Sequence, residues 1–447
     1  MNRTVVGQAR SLAAGETTSA ALVADALDRI GRTNEGWHIF TAVAPDAAAE
    51  AERSDRRRRE GRAIGPLDGV PVAVKDNLDV AGMSTYAGTG HDFGGPALRD
   101  STAVAKLRAA GAIVLGKLNM HEGALGATTD NRVWGRCENP RVPGHTPGGS
   151  SGGSGAALAG DLVAATLGTD TMGSVRIPAA YCGVWGLKPT LGLIATSGLR
   201  QLSWTLDTIG PLAHCAEDLA LMMEVLAGHE DTDRASVSAP PGWRARREPR
   251  DSLAGCVIGY PAAAALADCE DAVLVAFDEA LRQAASRGAV LRSIAIEGWE
   301  PARARRWGLL VSEAEASSLL ASAIEQHPDG FSEEFRKLLA FGGSVPGERL
   351  ARAYWHLDQL RAAFSRAIAG LDACLLPTAP QRAFPHGVKP PMNQADFTAL
   401  ANIAGGPAVA FPVPAPDDGA PASIQLVGVP FSEGKLLDMA RLLADWS

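Results

Sequence analysis

The sequence predicts an α/β fold: one large domain in which a central mixed β-sheet is covered by helices on both faces. Three observations lead there. The chain has 447 residues, 46% of them hydrophobic, which is ample material for a large buried core. Segments with helical spacing of apolar residues alternate with short β-branched runs, the pattern of helices layered over a sheet. No internal repeat divides the chain, so residues 1–447 read as a single domain.

The elements follow in order. Residues 18–32, TSAALVADALDRIGR, place apolar side chains at helical spacing and end at a glycine and a basic residue, predicting a helix. The first 62 residues as a whole read as helical and alanine-rich. AERSDRRRREGR (51–62) is a charge run that predicts a solvated helix face and loop. The texture then changes. GVPVAVKDN (69–77) predicts a strand that closes at Lys75. STAVAKLRAAGAIVLGK (101–117) predicts a capped helix, a glycine stop and a strand. GAALAGDLVAATLGTD (155–170) repeats that unit, with the strand at Leu162–Leu167. GCVIGYP (255–261) predicts a strand, and residues 271–291 a helix with the start of another strand. APPGWRARREPRD (239–251) predicts a surface loop. DACLLPTAP (372–380) and GGPAVAFPVP (405–414) predict late buried strands ended by proline.

Composition narrows the function. The formal net charge of -8 argues against a surface built for nucleic acid. No apolar run is long enough to span a bilayer, and the N-terminus lacks the apolar core of a signal peptide. The six cysteines are scattered without a C-x-x-C pair, which predicts reduced thiols and a cytoplasmic protein. No His/Cys cluster has zinc-like spacing, so neither a metal nor another cofactor is expected.

HTPGGSSGGSG (145–155) poses the main question. Such composition often marks a flexible linker. Here AALAGDLVAATLG follows without a break, which places the glycines at a helix start instead. Gly148 to Gly152 also satisfy G-x-S-x-G, but that motif needs a strand just before the serine, and the preceding residues carry three prolines. A phosphate loop would need a Lys-Ser/Thr pair after the glycines. Two other segments bear on the loop. The strand before GTDTMGSVRIPAAYCG (168–183) puts Thr171, Met172, Gly173 and Ser174 on a tight turn. Successive backbone N–H groups there can converge on one point, as an oxyanion hole requires. Lys75, closing an apolar strand, is a candidate for partial burial, although by itself it reads equally as a surface lysine.

Together VAVKDN, PGGSSGGSGAALA and GTDTMGSVRIPAAYCGVWGLKPT resemble the amidase signature family, in that family's order and spacing. The resemblance is strong over residues 65–215, the signature core. It returns more weakly at LDTIGPLA (206–213), LLPTAP (375–380) and ANIAGGPAVAFP (401–412), within a remainder, 216–447, of variable helices and returning strands. It implies a Lys–Ser–Ser triad: Ser174 as nucleophile, Ser150 as proton relay across a cis Gly149–Ser150 peptide, and Lys75 as base. It implies an oxyanion hole of Thr171, Met172, Gly173 and Ser174, with Ser151, Asp170 and Arg176 in support. The chemistry is coherent. A hydroxyl attacks an amide only while a base takes its proton. Lysine serves if burial, hydroxyl neighbours and the lack of a close carboxylate favour its neutral form. The family usually has glycine where this chain has Met172. That glycine could hold an unusual φ that methionine cannot, and the Met172 side chain needs space, with the leaving-group side as one direction for it.

The resemblance also implies that Leu125, Gly126 and Ala127 lie near the acyl side. They are small or apolar, so an uncharged amide or carbamate is the expected small-molecule substrate, with urethane and ester cleavage open to the same serine. Two classes stay open. The favoured one is a stand-alone hydrolase, monomeric or homodimeric; the acidic balance and the HEGALGATTDN (121–131) form of the pocket segment count against the alternative, a glutamine-hydrolysing subunit that delivers ammonia within a complex.

Overall fold

A computed structural model describes residues 3–445 apart from 416 and 418; the two residues at each end of the 1–447 span lie outside the described residues. Eleven strands form one sheet: β1 (Phe40–Val43), β2 (Pro71–Lys75), β3 (Ile113–Leu118), β4 (Ala165–Asp170), β5 (Trp185–Lys188), β6 (Thr208–Ala213), β7 (Val257–Pro261), β8 (Val290–Ile294), β9 (Ala373–Pro377), β10 (Ala408–Val413) and β11 (Ala422–Val427). Their spatial order is β1-β3-β2-β4-β6-β5-β10-β11-β9-β7-β8. The sheet is mixed: β2 runs parallel to β3 and β4, and β9 and β8 run parallel to β7, while the remaining pairs are antiparallel. Helices cover both faces, giving the predicted α/β architecture.

The helices are α1 (Val5–Ala13), α2 (Ser19–Trp37), α3 (Ala47–Arg59), α4 (Thr102–Ala109), α5 (Gly152–Ala159), α6 (Arg176–Cys182), α7 (Ala216–Leu226), α8 (Asp271–Ser286), α9 (Pro301–Gln326), α10 (Glu333–Gly343), α11 (Gly347–Ala367), α12 (Ala399–Ala404) and α13 (Glu433–Ala444). Among the described residues no helix is long and apolar enough to cross a membrane.

Four local expectations need correction. The first 62 residues are not helical throughout, because β1 (Phe40–Val43) lies among them and pairs with β3. Helix α2 runs past Gly31 to Trp37. It is ended by Asn34, whose side chain accepts from the Ile39 and Phe40 amides at 3.0 and 2.7 Å, and by His38 in the left-handed region. The charge run is not wholly solvated, because Arg57 of α3 reaches buried Asp68 at 2.6 Å. Strand β4 starts at Ala165, not Leu162, because its registers against Val72–Val74 of β2 and against the whole of β6 begin there. The shift carries the strand to Asp170, so the turn at Thr171 starts where β4 stops.

Central strands are buried on both faces, and β2 reads as a continuous apolar run up to Lys75. All five residues of β2 and all six of β4 are buried. Their C-terminal ends therefore deliver Lys75 and Asp170 into the interior, where any charge must be compensated or lost.

Candidate active site

Lys75 is wholly buried. Its Nζ lies 2.7 Å from Ser150 Oγ and 2.8 Å from Thr169 Oγ1 on the adjacent β4. Asn77 donates its amide N–H to the same Thr169 hydroxyl at 3.1 Å. Burial pushes the Lys75 ammonium down to about 7, while the Asp207 and Asp170 carboxylates act in the opposite sense. The expectation of no close carboxylate is thus corrected: two carboxylates act on the amine, and desolvation outweighs both. Near neutral pH the amine is poised between its charged and neutral forms.

Ser150 follows a cis Gly149–Ser150 peptide. The loop around it is packed, not loose: every residue from Thr146 to Leu158 is buried. Gly149 has no room for a side chain, since a Cβ would come 2.8 Å from the Thr128 amide nitrogen and 2.9 Å from the Ala127 carbonyl carbon. The loop therefore rests backbone against backbone on residues 127–128. Ser151 ties it to two other segments. The Ser151 hydroxyl donates to the Thr169 carbonyl at 3.1 Å and accepts from the Thr169 amide at 3.3 Å, and its own amide donates to the Ser174 carbonyl at 3.2 Å.

The turn after β4 is built around Asp170. Its carboxylate accepts from Arg176 Nε at 3.0 Å, Arg176 Nη2 at 2.9 Å and Asn402 Nδ2 at 2.9 Å. It also accepts from the Gly173 and Val175 amides, at 2.7 and 3.2 Å. Burial works to raise this carboxyl, but the Arg176 charge and the hydrogen bonds win, holding it at about 2. Asp170 and Arg176 thus fasten the turn from inside.

That arrangement sorts the four amides of the turn. The Gly173 N–H is taken by Asp170. The N–H groups of Thr171, Met172 and Ser174 have no partner among the described residues. The left-handed φ, 128°, falls on Gly173, where a Cβ would come 2.2 Å from Thr398 Oγ1. Met172 is not among the residues of positive φ, so methionine is compatible with the turn. Its side chain packs into an apolar cluster with Ala304, Val311 and Leu400. It fills space that Gly308 of α9 leaves: a Cβ on Gly308 would come 2.7 Å from Met172 Cε.

Ser174 is partly exposed, whereas Lys75 and Ser150 are buried. Its Oγ makes no hydrogen bond among the described residues. The Ser150–Ser174 hydrogen bond that the expected relay calls for is therefore not formed in this structure.

The segment 125–127 is less uniform than expected. Leu125 is buried in a cluster with Phe331, Phe335 and Leu339. Gly126 lies against the His121 ring, with a Cβ there only 2.2 Å from Nε2. Ala127 packs beside Ile177, Tyr181 and Phe384. Several further groups meet at the site without having been expected there. Thr169 and Asn77 surround the amine. Asp207 accepts from Thr171 Oγ1 at 2.6 Å and from the Leu202 and Ser203 amides, and burial raises its carboxyl to about 6. Thr398 donates to the Met172 carbonyl at 2.6 Å. His121, whose imidazole burial pushes down to about 4, lies within electrostatic reach of Lys75. Asn77, Asp207 and Asn402 fall in the quoted stretches VAVKDN, LDTIGPLA and ANIAGGPAVAFP, which was the available signal. His121 opens the pocket stretch HEGALGATTDN (121–131), though no role was expected of it there. Among the described residues no group of three His, Cys, Asp or Glu side chains could hold a metal, and the six cysteines are free.

A family model described as Amidase matches residues 21–437. The chain is similar to a glutamyl-tRNA(Gln) amidotransferase subunit from Chloroflexus aurantiacus, at 35% identity over 99% of this chain and 97% of the relative. Among solved structures it is similar to one described as a vestigial protein complex that reveals the origins of an s-triazine catabolic enzyme, with a TM-score of 0.91, 31% identity and 98% coverage of each chain. It is also similar to the peptide amidase of Stenotrophomonas maltophilia, with a TM-score of 0.84 and 30% identity over 98% of this chain and 96% of that one.

Proposed function

The chain belongs to the amidase family, and from that premise we propose that it cleaves a carboxamide C–N bond through an acyl-enzyme on Ser174. The carrying observation is the 2.7 Å approach of a buried Lys75 amine to Ser150 Oγ. In this mechanism Ser174 Oγ attacks the carbonyl carbon. Its proton passes to Ser150, while the Ser150 proton passes to neutral Lys75. The negative oxygen that forms is met by the free N–H groups of Thr171, Met172 and Ser174. Collapse breaks the C–N bond, and the departing nitrogen takes a proton back along the same path. Water then repeats the sequence on the acyl-serine. The sum is amide plus water to carboxylate plus ammonia or amine.

Two substrate classes fit this chemistry. One is a stand-alone hydrolase of small amides, extending to carbamates, urethanes and esters. The other is a glutamine-hydrolysing subunit that passes ammonia to a partner protein. The curated relatives, named as subunits of a glutamyl-tRNA(Gln) amidotransferase, support the second better than the first. Under it the working partner is another protein, not only a small molecule or a second copy, and the six free thiols suit the cytoplasm.

Purified chain would be assayed alone on glutamine, on an aryl amide and on an aryl carbamate, beside the Ser174→Ala variant. Glutamine turnover with little aryl-amide turnover supports the subunit reading, and the reverse supports the stand-alone hydrolase. Amide or glutamine turnover that survives in Ser174→Ala would overturn the mechanism for both.

A further inference from the structure

A cavity of about 440 Å³ lies between α9, Phe341 of α10 and Arg349 of α11. None of its lining residues belongs to the turn 171–174, although Leu310 shares an apolar cluster with Met172. At about 100° per residue, Glu313 stands roughly 140° around α9 from Gly308, the residue that meets Met172. Volume in this range suits a small organic ligand.

The floor of the cavity is a carboxyl. Glu313 is 9% exposed, lines the cavity, and makes no hydrogen bond or ion pair among the described residues. Gly342 of α10 packs against its backbone so closely that a Cβ would come 2.4 Å from the Glu313 carbonyl. Burial pushes this carboxyl up to about 7 and no neighbouring cation counters it. The mouth is cationic. Arg306 has no ion pair among the described residues, and Arg349 only overlies the Phe341 ring, 5.9 Å from its centroid. Arg303, also on the lining, is engaged with Glu300 at 3.4 Å. Trp307, Leu309 and Leu310 supply apolar wall between floor and mouth.

An unpartnered carboxyl largely withdrawn from water, as Glu313 is at 9% exposure, gains from any group that donates to it. The two guanidiniums stand too far off to do so, and the empty space lies between them. A simple amine would satisfy the floor but meet like charge at the mouth. A simple carboxylate would satisfy the mouth and seal the floor off unpaired. We propose that this cavity binds a small amphipathic aminocarboxylate: its ammonium on Glu313, its carboxylate on Arg306 and Arg349, and its apolar body against Trp307 and Phe341. The site is independent of what the catalytic serine cleaves.

Isothermal titration of the full chain with 4-(aminomethyl)benzoate tests this, with benzylamine and 4-methylbenzoate as probes that each lack one charge. The expected result is sub-millimolar binding of the zwitterion and at least about tenfold weaker binding of either control. Glu313→Gln, and Arg306→Ala with Arg349→Ala, should each weaken the zwitterion by a similar factor, and Glu313→Gln, which removes a desolvated carboxyl, should unfold no lower than the wild type. Binding needs ionised Glu313, so it should strengthen as pH rises from 6 to 8 and release a proton to the buffer. The charged groups facing Glu313 are Arg303 and Arg306 on its own helix and Arg349 of α11; α10 brings uncharged Phe341 and Gly342. Unchanged affinity in the variants, equal affinity for a control, or no heat with the zwitterion at roughly 10 mM overturns the proposal. Should a variant fail to fold, the three probes on the native chain still decide it.

Discussion

Replacing Lys75 by arginine separates a proton acceptor from a positive charge. An ordinary lysine titrates at 10.5, and burial brings Lys75 to about 7. At pH 7 an unperturbed lysine would be neutral in roughly one molecule in 3,000, whereas Lys75 is neutral in about half. Desolvation therefore supplies about three orders of magnitude of usable base. Two consequences follow for initial rates on an aryl amide between pH 5 and 9. The wild-type log kcat/KM should climb with unit slope up to about pH 7 and then level, because only the neutral amine accepts the Ser150 proton. Lys75→Arg should lose about 10²–10⁴ in rate at pH 7 and above, close to the loss in Lys75→Ala, since a guanidinium stays protonated, and the ratio should shrink toward pH 5 as the wild type loses its neutral amine. Esters, whose leaving group needs less proton help, should lose less in both variants. Amide turnover by Lys75→Arg within tenfold of wild type, or a flat wild-type profile from pH 5.5 to 7.5, would show that Lys75 acts only as a charge and that another group is the base.

Ser174→Ala should abolish turnover, and intact-protein mass spectrometry of a stalled wild-type reaction should find the acyl mass on the peptide holding Ser174; an adduct on Ser150 would reverse the two serines' roles. Gly149→Ala drives a methyl into the Thr128 and Ala127 backbone at 2.8–2.9 Å, so a destabilisation of about 1–3 kcal/mol by urea unfolding is expected along with lost activity; wild-type stability and rate would refute the close packing. Lys75→Met should stabilise the inactive protein by roughly 1–4 kcal/mol at pH 7. The sign follows from the lowered folded-state pKa: between about 7 and 10.5 the unfolded chain holds the proton that the folded chain lacks, so wild-type stability rises with pH and the variant's advantage shrinks across that window. An advantage that grows toward pH 10 would contradict the assignment. Chelator and added zinc should leave the amide rate unchanged, and a reproducible loss on chelation would sink a metal-free mechanism.

What the sequence determined by itself is what local spacing encodes. The apolar run before Lys75, the small residues around Ser150 and the turn carrying Ser174 stand in an order specific enough to name a family and three candidate side chains. Alternation of helical and β-branched periodicity was likewise enough for the α/β class, since each element's period is set within a few residues. Boundaries and environments were decided elsewhere. Strand β4 begins at Ala165 because Val72 of β2 and Ala213, the last residue of antiparallel β6, stand opposite it. The depressed Lys75 amine depends on burial between β3 and β4, and on carboxylates nearly a hundred or more residues away in the chain. Asp170 is fastened by Asn402 across 232 residues, and this network withdraws the Gly173 amide from the turn. Met172 is accommodated because Gly308, on a helix far along the chain, has no side chain. Glu313 reads as an ordinary helix glutamate until α10 closes over it. Local periodicity is a property of neighbouring residues, whereas desolvation and steric room depend on segments that only folding brings together.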